Sequence, residues 1–214
     1  MADQSKNKIS AVLFDYGMVL SSVPEELHWR QLEQVLNADE AGFQAVYWKY
    51  RDAYDRGALS AQTYWESVAR DLEKTIDAST LRGLMDADTN VWTQPNVEMM
   101  EWAAQLNRSG IKTGILSNIG DAMERGVLGR FPSLAEFTHH TFSHRLGIAK
   151  PDAEIYRHAV EGLGVPAEQI LFVDDREENI LAARVVGMMA VQYSGHAGFV
   201  EEMRRMGLGW LLAL

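Results

Sequence analysis

Ile9-Ser10-Ala11-Val12-Leu13-Phe14-Asp15-Tyr16-Gly17-Met18-Val19-Leu20 is an apolar run that stops abruptly at an acid, with a glycine two residues further on. Its length and its Val, Leu and Phe content are those of a strand buried on both faces, as in a parallel sheet. An acid at the carboxyl end of such a strand lies where open α/β sheets bind ligands. Asp and Gly are also ordinary turn residues. The stretch alone therefore leaves two readings, a site residue or a turn cap.

Downstream of Leu20 the rhythm changes. Leu27, Leu32, Val35 and Leu36 fall at helical spacing, and Phe43, Val46, Tyr47, Tyr50 and Tyr54 repeat it up to Gly57. Ser60 is placed as the N-cap of a third helix through Tyr64, Val68 and Leu72, and Leu81, Leu84 and Met85 mark a fourth. The aromatic side chains of this region are expected to form a bundle core. From Pro95 onward strands and helices alternate. Helices are predicted over 97–106, 121–128, 152–163 and 177–186, with strands over 111–116, 141–143, 170–173 and 189–192. Such alternation implies βα units and a parallel sheet. The expected fold is thus α/β: a Rossmann-like three-layer core of residues 1–20 and 94–214, interrupted by a helical bundle cap at 21–93. Two chain crossings, near Leu20 to Pro24 and Asn90 to Pro95, would form the hinge, stiffened by their prolines.

Composition sets outer bounds. With 214 residues, 47% hydrophobic and 23% charged, the chain has the balance of a soluble globular protein and enough length for a core without staples. There is no cysteine, which removes disulfides and thiol nucleophiles and suits a reducing compartment. A net charge of −10 argues against binding to nucleic acid. No apolar stretch approaches the ~20 residues that span a bilayer. Met1 to Lys8 is polar, without the apolar centre of a signal peptide. The expected location is the cytoplasm, as a monomer or a homodimer.

Three predicted strands end in polar residues: Asp15, Ser117-Asn118 and Asp174-Asp175. In a parallel sheet these ends share one edge, and Lys150 precedes Pro151 between the second and the third. Carboxylates gathered at one edge suit Mg²⁺, which prefers hard oxygen ligands. A lysine and a serine hydroxyl beside them supply charge and a donor for a phosphoryl group.

The stretches F-D-Y-G-M-V, I-L-S-N, A-K-P-D-A-E-I-Y and F-V-D-D-R-E-E-N, in this order and spacing, resemble the four motifs of the haloacid dehalogenase superfamily of hydrolases. The likeness extends over nearly the whole chain, and a helical insertion after the first motif resembles the cap of that superfamily's first class. The flavour is similar to the N-terminal phosphatase domain of soluble epoxide hydrolase and to sugar-phosphate phosphatases. The resemblance implies a phosphatase of small phosphorylated metabolites. Asp15 would be the nucleophile, forming an aspartyl-phosphate. Asp15, the Gly17 carbonyl and Asp175 would surround Mg²⁺ with Asp174 close by. Ser117 and Lys150 would hold phosphate oxygens, with Asn118 orienting the substrate or the nucleophile loop.

Two departures qualify that expectation. Phosphatases of the superfamily carry a second aspartate two positions after the nucleophile, as general acid and base; here that position is Gly17. Loss of such a group costs about 10²–10⁴ in rate. The alternatives are a slow or inactive relative, a substrate with a good leaving group, or an acid from the cap, for which Glu25, Glu26 and His28 are candidates. Dehalogenases of the superfamily share the nucleophile and also lack the second aspartate, but they work without metal and usually present Ser-Ser-Asn in the fourth motif. The acidic pair Asp174-Asp175 therefore favours phosphoryl transfer. His139, His140 and His144 show no clean metal-ligand pattern, and the apolar tail Trp210 to Leu214 is expected to pack on the core or a partner.

Overall fold

The computed structural model describes residues 9–214; the polar segment Met1 to Lys8 lies outside the described residues. Five strands form one parallel sheet: β1 Ala11–Phe14, β2 Lys112–Ser117, β3 His139–Phe142, β4 Ile170–Asp174 and β5 Met189–Gln192, in the order β3-β2-β1-β4-β5. Every residue of β1 is fully buried, as its unbroken apolar run requires of a central strand covered on both faces. Val12 and Phe14 face one core, Ala11 and Leu13 the other.

On the Phe14 side pack α5 (Val97–Arg108), α6 (Asp121–Arg130) and α10 (His196–Arg205), through Trp102, Met123 and Phe199. On the Leu13 side pack α8 (Ala153–Leu163) and α9 (Glu177–Val185), through Tyr156 and Ile180. Three layers result. The strand β3 begins at His139, two residues before the predicted start. It ends at Phe142 because Ser143 opens the one-turn helix α7 (Ser143–Leu146), where its hydroxyl accepts from the Ile119 amide at 2.8 Å. Helix α10 lies outside the predicted helices, although Phe199, Val200, Met203 and Met206 fall at helical spacing and pack on the Phe14-side core. The tail closes as a 3₁₀ turn at Gly209–Ala213, with Leu211 in the core and its carbonyl accepting from the Trp102 indole at 2.9 Å.

Between β1 and α5 run α1 (Glu26–Leu36), α2 (Glu40–Asp55), α3 (Ala61–Asp71) and α4 (Ala78–Trp92). Asp39, Ser60 and Asp77 cap α2 to α4 by accepting backbone N–H groups of the first turn. These helices bury a core of their own, built on Phe43, Tyr47, Tyr64, Trp65 and Leu84. The two crossings to the sheet lie side by side. Ser21 and Pro95 form an antiparallel bridge, Ser22 N donates to the Gln94 carbonyl at 2.8 Å, and Asn96 N donates to that of Leu20 at 3.0 Å. The helical unit also touches the rest of the chain directly. Tyr54 packs so closely on Gly120 that a Cβ there would lie 2.1 Å from the phenol ring, and Arg56 pairs with Asp152 at 2.7 Å. Among the described residues no helix is long and apolar enough to cross a membrane.

Candidate active site

Sheet register assembles the site. Phe14 is level with Ile115 on one side and Val173 on the other, so the next residue along, Asp15, emerges beside Asp174 and short of Ser117. Asp15 N donates to the Val173 carbonyl at 2.8 Å, which fixes that level. Beyond Asp15 the chain turns sharply through Tyr16–Leu20, with Met18 at φ 58°. Asp15 accepts from the Tyr16 amide at 2.7 Å, so one oxygen is held and the carboxylate has a set orientation.

Lys150 is the hub. Its Nζ lies 2.8 Å from Asp15 Oδ2 and 2.6 Å from Asp174 Oδ2, and its side chain is almost fully enclosed. Burial alone would depress the ammonium; Asp15 and Asp174 outweigh it and raise its pKa. Burial pushes Asp15 up to about 7 despite Lys150, with Asp174 and Asp175 adding to the rise. Asn118 clamps the hub from behind. Its amide donates to the Lys150 carbonyl at 2.9 Å and its Oδ1 accepts from the Lys150 amide at 2.8 Å.

Asp174 is completely buried and committed within the protein. Besides Lys150 it accepts from Arg176 N and from Asn179 Nδ2, both at 2.9 Å. Asp175 stands half-buried on the cavity wall, and burial followed by Asp174 raises its pKa. Asp15, Asp174 and Asp175 each present a carboxylate oxygen within 4.8 Å of the others. Three hard oxygen donors so close together are a set that fits a divalent cation such as Mg²⁺.

The cavity above this edge measures about 420 Å³, and Asp15, Gly17, Ser117, Asn118, Lys150 and Asp175 all line it. The sheet edge thus brings Asp15, Gly17, Ser117, Asn118, Lys150 and Asp175 to the cavity wall, with Asp174 close by, just behind it. Glu25, Glu26 and His28 do not line it. Glu26 pairs with Arg30 at the surface, and the His28 ring faces the Gln94 amide. The three histidines are packed singly: His140 against the Leu134 carbonyl at 2.8 Å, His144 against Glu124 at 2.5 Å, and His139 beside the His158 ring.

The opposite wall comes from the helical unit and has no motif to announce it. Trp48 and Trp92 line it, together with Arg51, Asp52 and Asp55 on the last turns of α2. Arg51 is buried. Its Nε donates to both Asp55 oxygens at 3.0 Å, and its Nη1 lies 3.5 Å from Asp88 of α4. Tyr47 completes the cluster: its hydroxyl donates to Asp88 at 2.8 Å and accepts from Arg51 and from the Trp92 indole. Burial raises Asp55 to about 6 and also raises Asp88, in both cases against the pull of Arg51. Two carboxylates share one guanidinium. The only sequence sign of this arrangement is the Arg51/Asp55 pair at i,i+4, which reads equally as a solvated helix face.

A family model described as haloacid dehalogenase-like hydrolase matches residues 9–187. The chain is 24% identical over 203 residues to a sesquiterpene phosphatase of Aspergillus oryzae, covering 92% of this chain and 95% of that protein. With the bifunctional epoxide hydrolase 2 of Rattus norvegicus it shares 27% identity over 116 residues, 51% of this chain but only 21% of that longer protein. Among solved structures, a HAD family enzyme from Bacteroides thetaiotaomicron, in complex with magnesium and inorganic phosphate, superposes with a TM-score of 0.73 at 20% identity, covering 88% of this chain and 96% of that one. The L-2-haloacid dehalogenase of Xanthobacter autotrophicus superposes at 0.68 with 19% identity, covering 96% and 87%.

Proposed function

The chain belongs to the haloacid dehalogenase-like hydrolases, and from that membership we propose that it is a Mg²⁺-dependent phosphatase of small phosphate monoesters. One observation carries the choice among hydrolase chemistries: Asp174, the last residue of β4, and Asp175, directly after it, approach Asp15 within 4.8 Å. An acidic trio without a cation repels an anionic substrate and itself, whereas with a cation it becomes a phosphate site. Displacement of halide from carbon has no use for it.

In this reading Asp15 Oδ2 attacks phosphorus, the ester oxygen departs, and an aspartyl-phosphate forms on Asp15; water then cleaves it to release phosphate. Lys150 holds Asp15 oriented and offsets its repulsion from the phosphoryl oxygens, and Ser117 donates to one of them. Asn118 keeps Lys150 in place through its backbone. Asp174 acts from behind, fixing Lys150 on one oxygen and the β4–α9 turn on the other. Asp15, Asp175 and the Gly17 carbonyl would hold Mg²⁺, which would neutralise charge on the phosphoryl group in transfer.

Of the described residues, we assign 9–20 and 94–214 to the catalytic core and 21–93 to a cap that closes over the phosphoenzyme and excludes water. The organic part of the substrate would lie toward Trp48, Trp92, Met18 and Met123, an apolar wall that suits a hydrocarbon or ring-bearing body better than a second charged group. The sesquiterpene phosphatase relative is consistent with such a substrate.

The test is phosphate release from a panel of monoesters, with Mg²⁺ and with chelator, by the parent and by Asp15→Asn. Mg²⁺-dependent release that disappears in the variant is expected. Halide release from a 2-haloacid without metal, and no phosphate release, would overturn the reading in favour of dehalogenation.

A further inference from the structure

A phosphatase that expels an alkoxide benefits from a proton donor, yet nothing stands at Gly17 to give one. Several other ionisable groups line the cavity. Asp15 and Asp175 belong to the acidic trio, and Lys150 is locked as a cation between two carboxylates. Arg51 and Arg176 do not titrate in the useful range. Burial drives the Tyr16 hydroxyl far upward, and it is engaged with the Trp92 carbonyl at 3.0 Å. That leaves Asp52 and Asp55. The Asp52 side chain is 81% exposed and turned to Arg56, whereas that of Asp55 is 16% exposed.

We propose that Asp55, on the last turn of α2, is the general acid–base group of the reaction, supplied from the cap in place of the carboxylate absent at Gly17. This proposal rests on the phosphatase reading of the same site. Its geometry is built in. The Asp55 carbonyl accepts from the Ser143 hydroxyl, which accepts in turn from the Ile119 amide, two residues beyond Ser117. The last turn of α2, which carries Asp55 into the cavity lining, is thereby tied to the loop that would hold the phosphate.

The charge around Asp55 suits the role. Facing it are Arg51 and Asp52 on its own helix, Asp88 on α4 and Tyr64 on α3; His144 of the neighbouring α7 is engaged with Glu124. With one guanidinium between Asp55 and Asp88, the cluster carries one negative charge too many when both are ionised, and so retains a proton toward neutral pH. Asp88 does not line the cavity; Asp55 does. In the first step the P–O(ester) bond breaks as the Asp15 Oδ2–P bond forms, and the Asp55 proton passes to the departing oxygen to give the alcohol. In the second, the attacking water gives its proton to the Asp55 carboxylate, the new P–O bond forms and the Asp15–phosphorus bond breaks. That proton restores Asp55 to its starting state, and phosphate leaves.

The experiment compares Mg²⁺-dependent turnover of a primary alkyl phosphate with that of p-nitrophenyl phosphate, whose leaving group needs little help. In Asp55→Asn the alkyl ester should lose about 10²–10⁴ in kcat, while the aryl ester loses less than about tenfold. Asp88→Asn, which removes the second carboxylate on the same guanidinium, should shift the pH dependence of alkyl-ester turnover to lower pH and leave that of the aryl ester in place. The parent itself gives a reading that does not depend on how the variants fold: the ratio of alkyl-ester to aryl-ester kcat should fall as pH rises through about 6, since the ionisation of Asp15 is common to both esters and cancels. Equal losses on both esters in Asp55→Asn, or identical pH profiles in the parent, would overturn the proposal while leaving the phosphatase reading intact. No Mg²⁺-dependent turnover of either ester by the parent would overturn both.

Discussion

Asp15 and Asp174 face each other across a single ammonium, with Lys150 Nζ 2.8 Å from one and 2.6 Å from the other. All three side chains are buried, so water does little to screen the carboxylates from each other. This bond pair holds the Asp15 carboxylate in position and also holds the end of β1 to the end of β4.

Removing that cation should therefore damage stability as well as chemistry. Lys150→Met fills similar volume but leaves two buried acids without their partner, at a cost of about 3 kcal/mol or more. Urea unfolding should show this loss, and turnover should vanish. A midpoint unchanged from the parent would mean that the ion pairs contribute nothing net to the fold.

The two neighbouring acids on β4 should separate by phenotype. Asp175→Asn, on the cavity wall, is expected to raise the Mg²⁺ concentration needed for half-maximal activity at least tenfold with little change in stability. Asp174→Asn is expected to lower stability by roughly 2–4 kcal/mol, because it weakens the contacts to Lys150, Arg176 N and Asn179 together. Metal titration and denaturation of both variants check this, and a reversed pattern would exchange their roles.

Gly17 offers a gain-of-function test. Its backbone sits at φ −63° and ψ 130°, and a Cβ would meet nothing within 4 Å, so an aspartate fits without strain. In the Asp55→Asn background, Gly17→Asp should restore at least tenfold of the lost alkyl-ester turnover. A double variant no faster than Asp55→Asn would mean that a missing proton donor is not what limits the rate.

Asp55 also predicts a pH dependence of stability. Its folded pKa, about 6, lies above the ordinary 3.8. A raised carboxyl contributes stability that is fully present below its ordinary pKa and is lost as pH climbs through the folded value. Between pH 4 and pH 7 the parent should thus lose roughly 2 kcal/mol from this group, and Asp55→Asn should lose less over the same interval. Denaturation midpoints at both pH values provide the check; parallel loss in the two proteins would contradict it.

Much of this site is legible in the sequence because a parallel sheet does the assembling. Once Asp15, Ser117 and Asp174-Asp175 are each read at a strand end, the register brings them to one edge with no further information. Gly17 is legible for the same reason, as a position relative to Asp15. The cap wall is not. Arg51, Asp55 and Asp88 lie on two helices whose pairing is fixed by the packing of Tyr47, Tyr64 and Trp65, and i,i+4 charges on an aromatic helix look like solvent-facing decoration. Glu25, Glu26 and His28 closely follow the Ser21–Pro95 crossing in sequence, but none of them lines the cavity. The clamp of Asn118 on Lys150 joins residues 32 positions apart and becomes visible only when β2 and the loop before α8 are side by side. The short edge strand β3 starts earlier than its apolar residues suggest, because its bounds are set by pairing with β2 from Gly114 onward.

The most direct measurement is mass spectrometry of the acid-quenched protein during turnover of p-nitrophenyl phosphate with Mg²⁺. A phosphoryl group on the peptide containing Asp15, absent in Asp15→Asn and absent when Mg²⁺ is chelated, is the predicted result. Phosphate release without any phosphorylated Asp15 peptide, continuing in Asp15→Asn, would contradict the account at its centre.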